Sequence, residues 1–190
     1  MAEYRQMRMQ QRMQEAEGYL DLLSALGDRW RPSVENRNRV ASRALEMLDQ
    51  LEFLRPRAKV MARVNYLKGQ ALSIMERYAE AIQPLLASTR HDSDNLHVWL
   101  SLGWCYKRVG RLDLAIEALE EAISIDPEYA IVHYNLACYW SLARNPKLAV
   151  AYLASSFDID ISYRDLVAKE PDFDTVRNHP DFLALTSVVV

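Results

Sequence analysis

Two cysteines and one histidine are the side chains best suited to chemistry in this 190-residue sequence. Cys138 and His133 are the one nucleophile and base that stand close together, as covalent catalysis would need. A separation of five residues turns them to different faces of a helix, because only neighbours three or four apart meet. Cys105 and Cys138 form no CxxC pair, so neither a disulfide framework nor a structural zinc motif is indicated. The sequence has no HExxH, no Gly-rich phosphate loop and no run of clustered metal ligands. Cysteines of this kind behave as small core residues. The expectation is therefore a non-enzyme with no cofactor and no metal.

Charge is the next candidate for chemistry. Residues 1–68 hold 13 Lys and Arg against 9 Asp and Glu, whereas the remainder holds 10 against 17. The basic part includes Arg29, Arg31, Arg37, Arg39 and Arg43, which would attract phosphate or an acidic protein surface. Acidic residues are interspersed and no aromatic-basic motif appears, so a solvated helical face is expected rather than a nucleic-acid site.

These side chains must be held by helices. Half the residues are hydrophobic, 26% are charged and only five are glycine, a composition suited to an all-α protein. The start, MAEYRQMRMQQRMQEAEGYLDLL, interleaves Arg and Gln with its apolar residues and does not read as a signal peptide. No apolar run reaches the length of a membrane span. A cytoplasmic location is the default that follows.

One stretch, LSLGWCYKRVGRLDLAIEALEEAISIDP at 100–127, sets a period. Around Gly103 stand Trp99, Leu102, Tyr106, Ala115, Leu119, Ala122 and Pro127. Thirty-four residues on, the corresponding places hold Leu136, Ala137, Trp140, Ala149, Leu153 and Ser156; thirty-four back they hold Gly69, Leu72, Ala81, Leu85 and Ser88. This pattern resembles the tetratricopeptide repeat, with Leu119 where the family has Phe. The resemblance implies an α-solenoid of antiparallel helix pairs, in three units at about 62–95, 96–129 and 130–163. Small residues at 69, 81, 103, 115, 137 and 149 then sit where two backbones approach. Asn145-Pro146 reads as a cap and first helical residue. Pro84, inside a second helix, is expected to remove a hydrogen bond and bend it.

Residues 1–61 precede the repeats. Met9, Met13, Ala16, Leu20 and Leu23 give an apolar seam on one helix face, to be packed on the array or paired with a second copy as a homodimer. GDRWRPSVENRN reads as a connector, and helix returns from about Val40 to Leu54. Together these two helices would make a degenerate fourth unit. In 164–190, two Pro-Asp-Phe triplets would each start a short helix, so that Phe173 and Phe182 cap the last unit's apolar face. The tail SVVV is expected to fray.

The family resemblance also implies a function, protein–protein interaction on the concave surface lined by first helices. The positions it points to are Arg63, Tyr66, Gln70, Ser73 and Ile74; His97, Leu100, Trp104, Lys107 and Arg108; and Ile131, Tyr134, Cys138, Ser141 and Leu142. Tyr66, Gln70, Ser101, Ile131 and Asn135 do not supply the Lys, Asn and Arg cluster with which one branch of the family grips a chaperone's C-terminal carboxylate. The groove candidates are therefore Tyr66, Gln70, Leu100, Trp104, Lys107, Arg108, Tyr134 and Cys138, suited to an apolar or aromatic anchor with an acidic flank. The runs WLSLGWCYKRVG and YNLACYW also resemble, in part, the cytoplasmic chaperones that hold type III secretion translocators, which leaves an export chaperone as the alternative. An enzyme using Cys138 is the remote one.

Overall fold

The 34-residue period is visible in the backbone before any side chain is considered. Among the described residues Glu76, Gly110 and Arg144 are those with positive φ, at 61°, 78° and 58°, and they stand 34 apart. Each ends a helix. After Leu72 the amide of Glu76 donates to Ser73 O at 2.9 Å and that of Arg77 to Leu72 O at 2.9 Å. After Trp140 the amides of Arg144 and Asn145 donate to Ser141 O at 2.8 Å and Trp140 O at 2.9 Å. This is the Schellman closure, which requires a left-handed residue and favours glycine there. Only the middle unit has it. Arg144→Gly is therefore expected to stabilise the chain by about 0.5–1 kcal/mol, the left-handed penalty less the added chain entropy. A shift of the urea midpoint to higher concentration would register it, and no shift would count against a strained turn.

The computed structural model describes residues 2–27, 32–54 and 56–187, all helix, turn or loop. The chain divides into two compact units, Met1–Val109 and Gly110–Val190. The first contains α1 (Ala2–Gly27), α2 (Val34–Phe53), α3 (Ala58–Ile74), α4 (Tyr78–Thr89) and α5 (Leu96–Arg108). Successive helices pack on one another, and α1 also reaches α3 as α3 reaches α5. Helices α1 and α2 pack as a pair, and both touch α3. Ala16, Leu20 and Leu23 of the seam are buried within this packing.

Helix α2 begins at Val34, six residues earlier than the apolar pattern indicates. Ser33 Oγ accepts from the Asn36 amide at 3.2 Å, and Glu35 lies in the positive first turn. The polar run ENRN, residues 35–38, is the first turn of that helix rather than a connector. Arg29, Arg31 and residues 188–190 of the tail lie outside the described residues. Of the other basic residues in that run, Arg37 pairs with Glu76 at 2.7 Å, Arg39 donates to Asn36 Oδ1 at 2.9 Å and Arg43 pairs with Glu46 at 3.4 Å; elsewhere in the unit Arg63 pairs with Glu17 at 2.7 Å, and Lys68 with Asp49 and Glu52.

Close approach explains the small residues. A Cβ on Gly69 would lie 2.5 Å from both Cγ and Cδ2 of Leu85, which is fully buried on α4. Helix α4 runs unbroken through Pro84, which only withdraws one donor from the carbonyl four residues back. Ser88 Oγ donates to Ala62 O at 2.8 Å, fastening the end of α4 to the start of α3.

The second unit contains α6 (Leu112–Ile125), α7 (Ala130–Leu142), α8 (Pro146–Ile159), α9 (Arg164–Val167) and α10 (Pro180–Thr186), with 3-10 turns at Ile161–Tyr163 and Pro171–Phe173. Asn145 caps α8 by accepting from Leu148 N at 3.2 Å, with Pro146 in the first turn. Ser156 Oγ donates to Ala130 O at 3.2 Å, the same fastener as in the first pair and 68 residues on. Each Pro-Asp-Phe triplet does start a short helical turn. Glu170 accepts from Asp172 N at 3.1 Å and His179 Nδ1 from Asp181 N at 3.3 Å. Phe173 and Phe182 are buried, their ring centroids 5.4 Å apart, with the 171–173 turn against α7 and α10 against α8. Among the described residues no helix is long and apolar enough to cross a membrane.

Candidate functional site

The face of α3 and α5 in the first unit divides into a closed part and an open part. Tyr66 is 8% exposed. Its hydroxyl accepts from Gln70 Nε2 at 2.7 Å, and the Arg63 guanidinium sits over its ring at 5.3 Å. Burial raises the phenol's pKa, against the Arg63 charge and hydrogen bonds from Ser101 and Gln70. Glu17 of α1 holds Arg63, and Asp21 of α1 acts on the Tyr66 phenol. The chain's own first helix thus lies over this part of the face.

Further along, α5 presents an open aromatic patch. Trp104 is 43% exposed, the most exposed aromatic on the repeat helices, while Leu100 beside it is half-buried. Lys107 Nζ lies 5.5 Å from the Trp104 centroid and the Arg108 guanidinium 5.7 Å from it. Arg108 also stacks on Tyr78 of α4 at 4.8 Å. Both cations lie within cation–π range of the indole and leave positive charge around it. Tyr78 was not among the sequence candidates; it stands at a helix start, and only folding brings it to Arg108.

The second unit treats the equivalent face differently, and here the sequence expectation of an open groove needs correction. Tyr134 and Cys138 are 4% and 3% exposed. The Tyr134 ring packs against Tyr163 at 5.2 Å and edge-on against Phe173 at 5.7 Å. Ser141 Oγ donates to Asp172 O at 2.7 Å, and Thr175 Oγ1 donates to Ser141 O at 2.5 Å. Residues 170–175 therefore lie over α7 as a resident segment. The physical reason is the terminal helix pair's apolar face, which water would otherwise wet.

Both cysteines are buried. Burial pushes the Cys105 thiol up to about 11, opposed by a hydrogen bond from Ser73. His133 donates from Nε2 to Pro127 O at 2.7 Å and its ring lies 6.1 Å from that of Tyr152. Cys138 instead neighbours Tyr134, Glu170 and Asp172.

The family model described as tetratricopeptide repeat matches residues 98–129. A comparison with curated protein sequences finds no match. Among solved structures, one of MamA is 21% identical and covers 82% of this chain and 90% of its own, with a TM-score of 0.60. MamA 41-end from Desulfovibrio magneticus RS-1 is 20% identical, with 77% and 96% covered and a TM-score of 0.59. YrrB, described as a TPR protein with an unusual peptide-binding site, is 19% identical, with 79% and 88% covered and a TM-score of 0.54. The chain thus carries a tetratricopeptide repeat at 98–129, and the 34-residue frame, the paired helices and these structures give it the all-α solenoid fold of helix pairs.

Proposed function

We propose that the chain is a non-catalytic protein-interaction module that takes an apolar or aromatic anchor of an extended segment or helix at Trp104, with an acidic flank at Lys107 and Arg108. The observation that carries the reading is Trp104 itself, 43% exposed on a rigid helix and bracketed by two cations. An exposed Trp with low conformational freedom is the type of residue on which binding energy concentrates. YrrB shares the fold and is described as peptide-binding, which fits a binding role without naming a partner. Two cysteines outside any disulfide fit a reducing compartment.

Affinity purification with the wild type and Trp104→Ala, followed by mass spectrometry, tests the proposal. The substitution is expected to weaken capture at least about tenfold, a loss of roughly 1.4 kcal/mol, with helical circular dichroism unchanged. Charge reversal at Lys107 and Arg108 should slow capture in low salt more than in high salt. Equal recovery by wild type and Trp104→Ala would defeat the reading.

A further inference from the structure

Folding assembles a donor set that the sequence scatters. Cys138 Sγ and one carboxylate oxygen each of Glu170 and Asp172 lie within 4.8 Å of one another. Cys138 is on α7, whereas the two carboxylates flank Pro171 in the segment laid over that helix. A second observation is independent of this clustering. Tyr134 stands one turn before Cys138 on the same helix face, is 4% exposed, and its hydroxyl is buried with no hydrogen-bond partner. Its ring packs edge-on against Phe173, the residue after Asp172, so the phenol stands against the segment that carries both carboxylates, where the Arg177 guanidinium also donates to Glu170 O at 2.8 Å. A buried phenol oxygen left without a partner costs about 1–3 kcal/mol unless something supplies a hydrogen bond.

We propose that Cys138, Glu170 and Asp172 form a binding site for a divalent cation of the zinc class, whose remaining position is a water hydrogen-bonded to the Tyr134 hydroxyl. Thiolate with carboxylate is a mixed soft and hard set of the kind a borderline ion accepts, and three protein ligands with an open position is a recognised zinc arrangement. Tetrahedral zinc sets sulfur and oxygen ligands about 3.6 Å apart, given metal–ligand distances of about 2.3 and 2.1 Å. Rotation of the half-buried Asp172 side chain, with Glu170 keeping one carboxylate oxygen on the Asp172 amide, closes that difference. The thiol proton passes to solvent as the metal–sulfur bond forms, so affinity rises with pH. Because two ligands come from the covering segment and one from α7, the ion acts as a clip on the 170–172 segment.

Cobalt(II) added to the reduced full-length chain is the probe. A near-ultraviolet thiolate-to-cobalt band is expected, saturating at one equivalent and removed by zinc. Cys138→Ser should lose the band and Cys105→Ser should keep it. Glu170→Gln and Asp172→Asn, which leave both thiols intact, should each weaken binding at least about tenfold, since even outer-shell changes have effects of that size. Zinc should also slow tryptic cleavage after the exposed Lys169 in wild type and not in Asp172→Asn. The absence of a band, its survival in Cys138→Ser, its loss in Cys105→Ser, or carboxylate variants that bind like wild type would each overturn the site. Should Cys138→Ser fail to fold by circular dichroism, the carboxylate variants alone decide.

Discussion

Phe173→Ala is expected to destabilise the second unit by about 3–5 kcal/mol, the range for deleting a fully buried aromatic side chain. Phe173 has no solvent exposure and touches two other rings, Tyr134 edge-on at 5.7 Å and Phe182 at 5.4 Å. Each such ring contact contributes about 0.5–1.5 kcal/mol beyond area burial. The residue also holds a whole segment, because the bonds from Ser141 to Asp172 and from Thr175 to Ser141 depend on that segment lying flat. Loss of the ring should therefore appear first as local opening rather than global unfolding. Faster tryptic cleavage after Lys169 and Arg177, at a denaturant concentration where α7 and α8 remain helical, is the expected signature. Phe173→Leu, which keeps an apolar filler, should lose less than half as much. Unchanged cleavage in Phe173→Ala would contradict the capping role.

Gly69→Val is expected to cost about 3 kcal/mol, at the upper end of overpacking penalties. Helix propensity alone favours valine over glycine, by less than about 1 kcal/mol. Against that stands Leu85, whose Cγ and Cδ2 lie 2.5 Å from where a Cβ would be built. The Cγ is a branch point close to the α4 backbone, and Leu85 is fully buried, so it has nowhere to turn. Sterics decide the sign. A double-mutant cycle with Leu85→Ala isolates the contact: the second change should recover at least about 1 kcal/mol of the first, as expected for touching sites. Additive effects in urea unfolding would show that the two residues do not meet.

How much of this was legible in the sequence follows from which interactions are local. The helix pairs were, because Gly69, Ala81, Ala137 and Ala149 mark backbone approach at fixed spacing, and Asn145-Pro146 marks a helix start. The left-handed closure at Glu76 and Arg144 was not, because only Gly110 carries the residue type that announces it. Ser33 was an available cap signal that the polar run after it concealed. The two Pro-Asp-Phe triplets announced both short turns and the burial of Phe173 and Phe182. Their consequence for Tyr134 and Cys138 was not legible, because the 34-residue frame assigns every first helix the same face and is blind to a segment folded back over one of them. The grouping of Cys138 with Glu170 and Asp172 depends on that same fold-back, across 32 residues of chain. Arg108 on Tyr78 is likewise a product of packing between α4 and α5.

The most direct test of the binding account is site-specific photocrosslinking from position 104 against position 53 in the same unit. Phe53 is 87% exposed and lies on α2, whereas the patch is on α5. Crosslinking to another polypeptide from position 104 and not from position 53 is the predicted result. Equal crosslinking from both positions, or capture from position 53 alone, would contradict it.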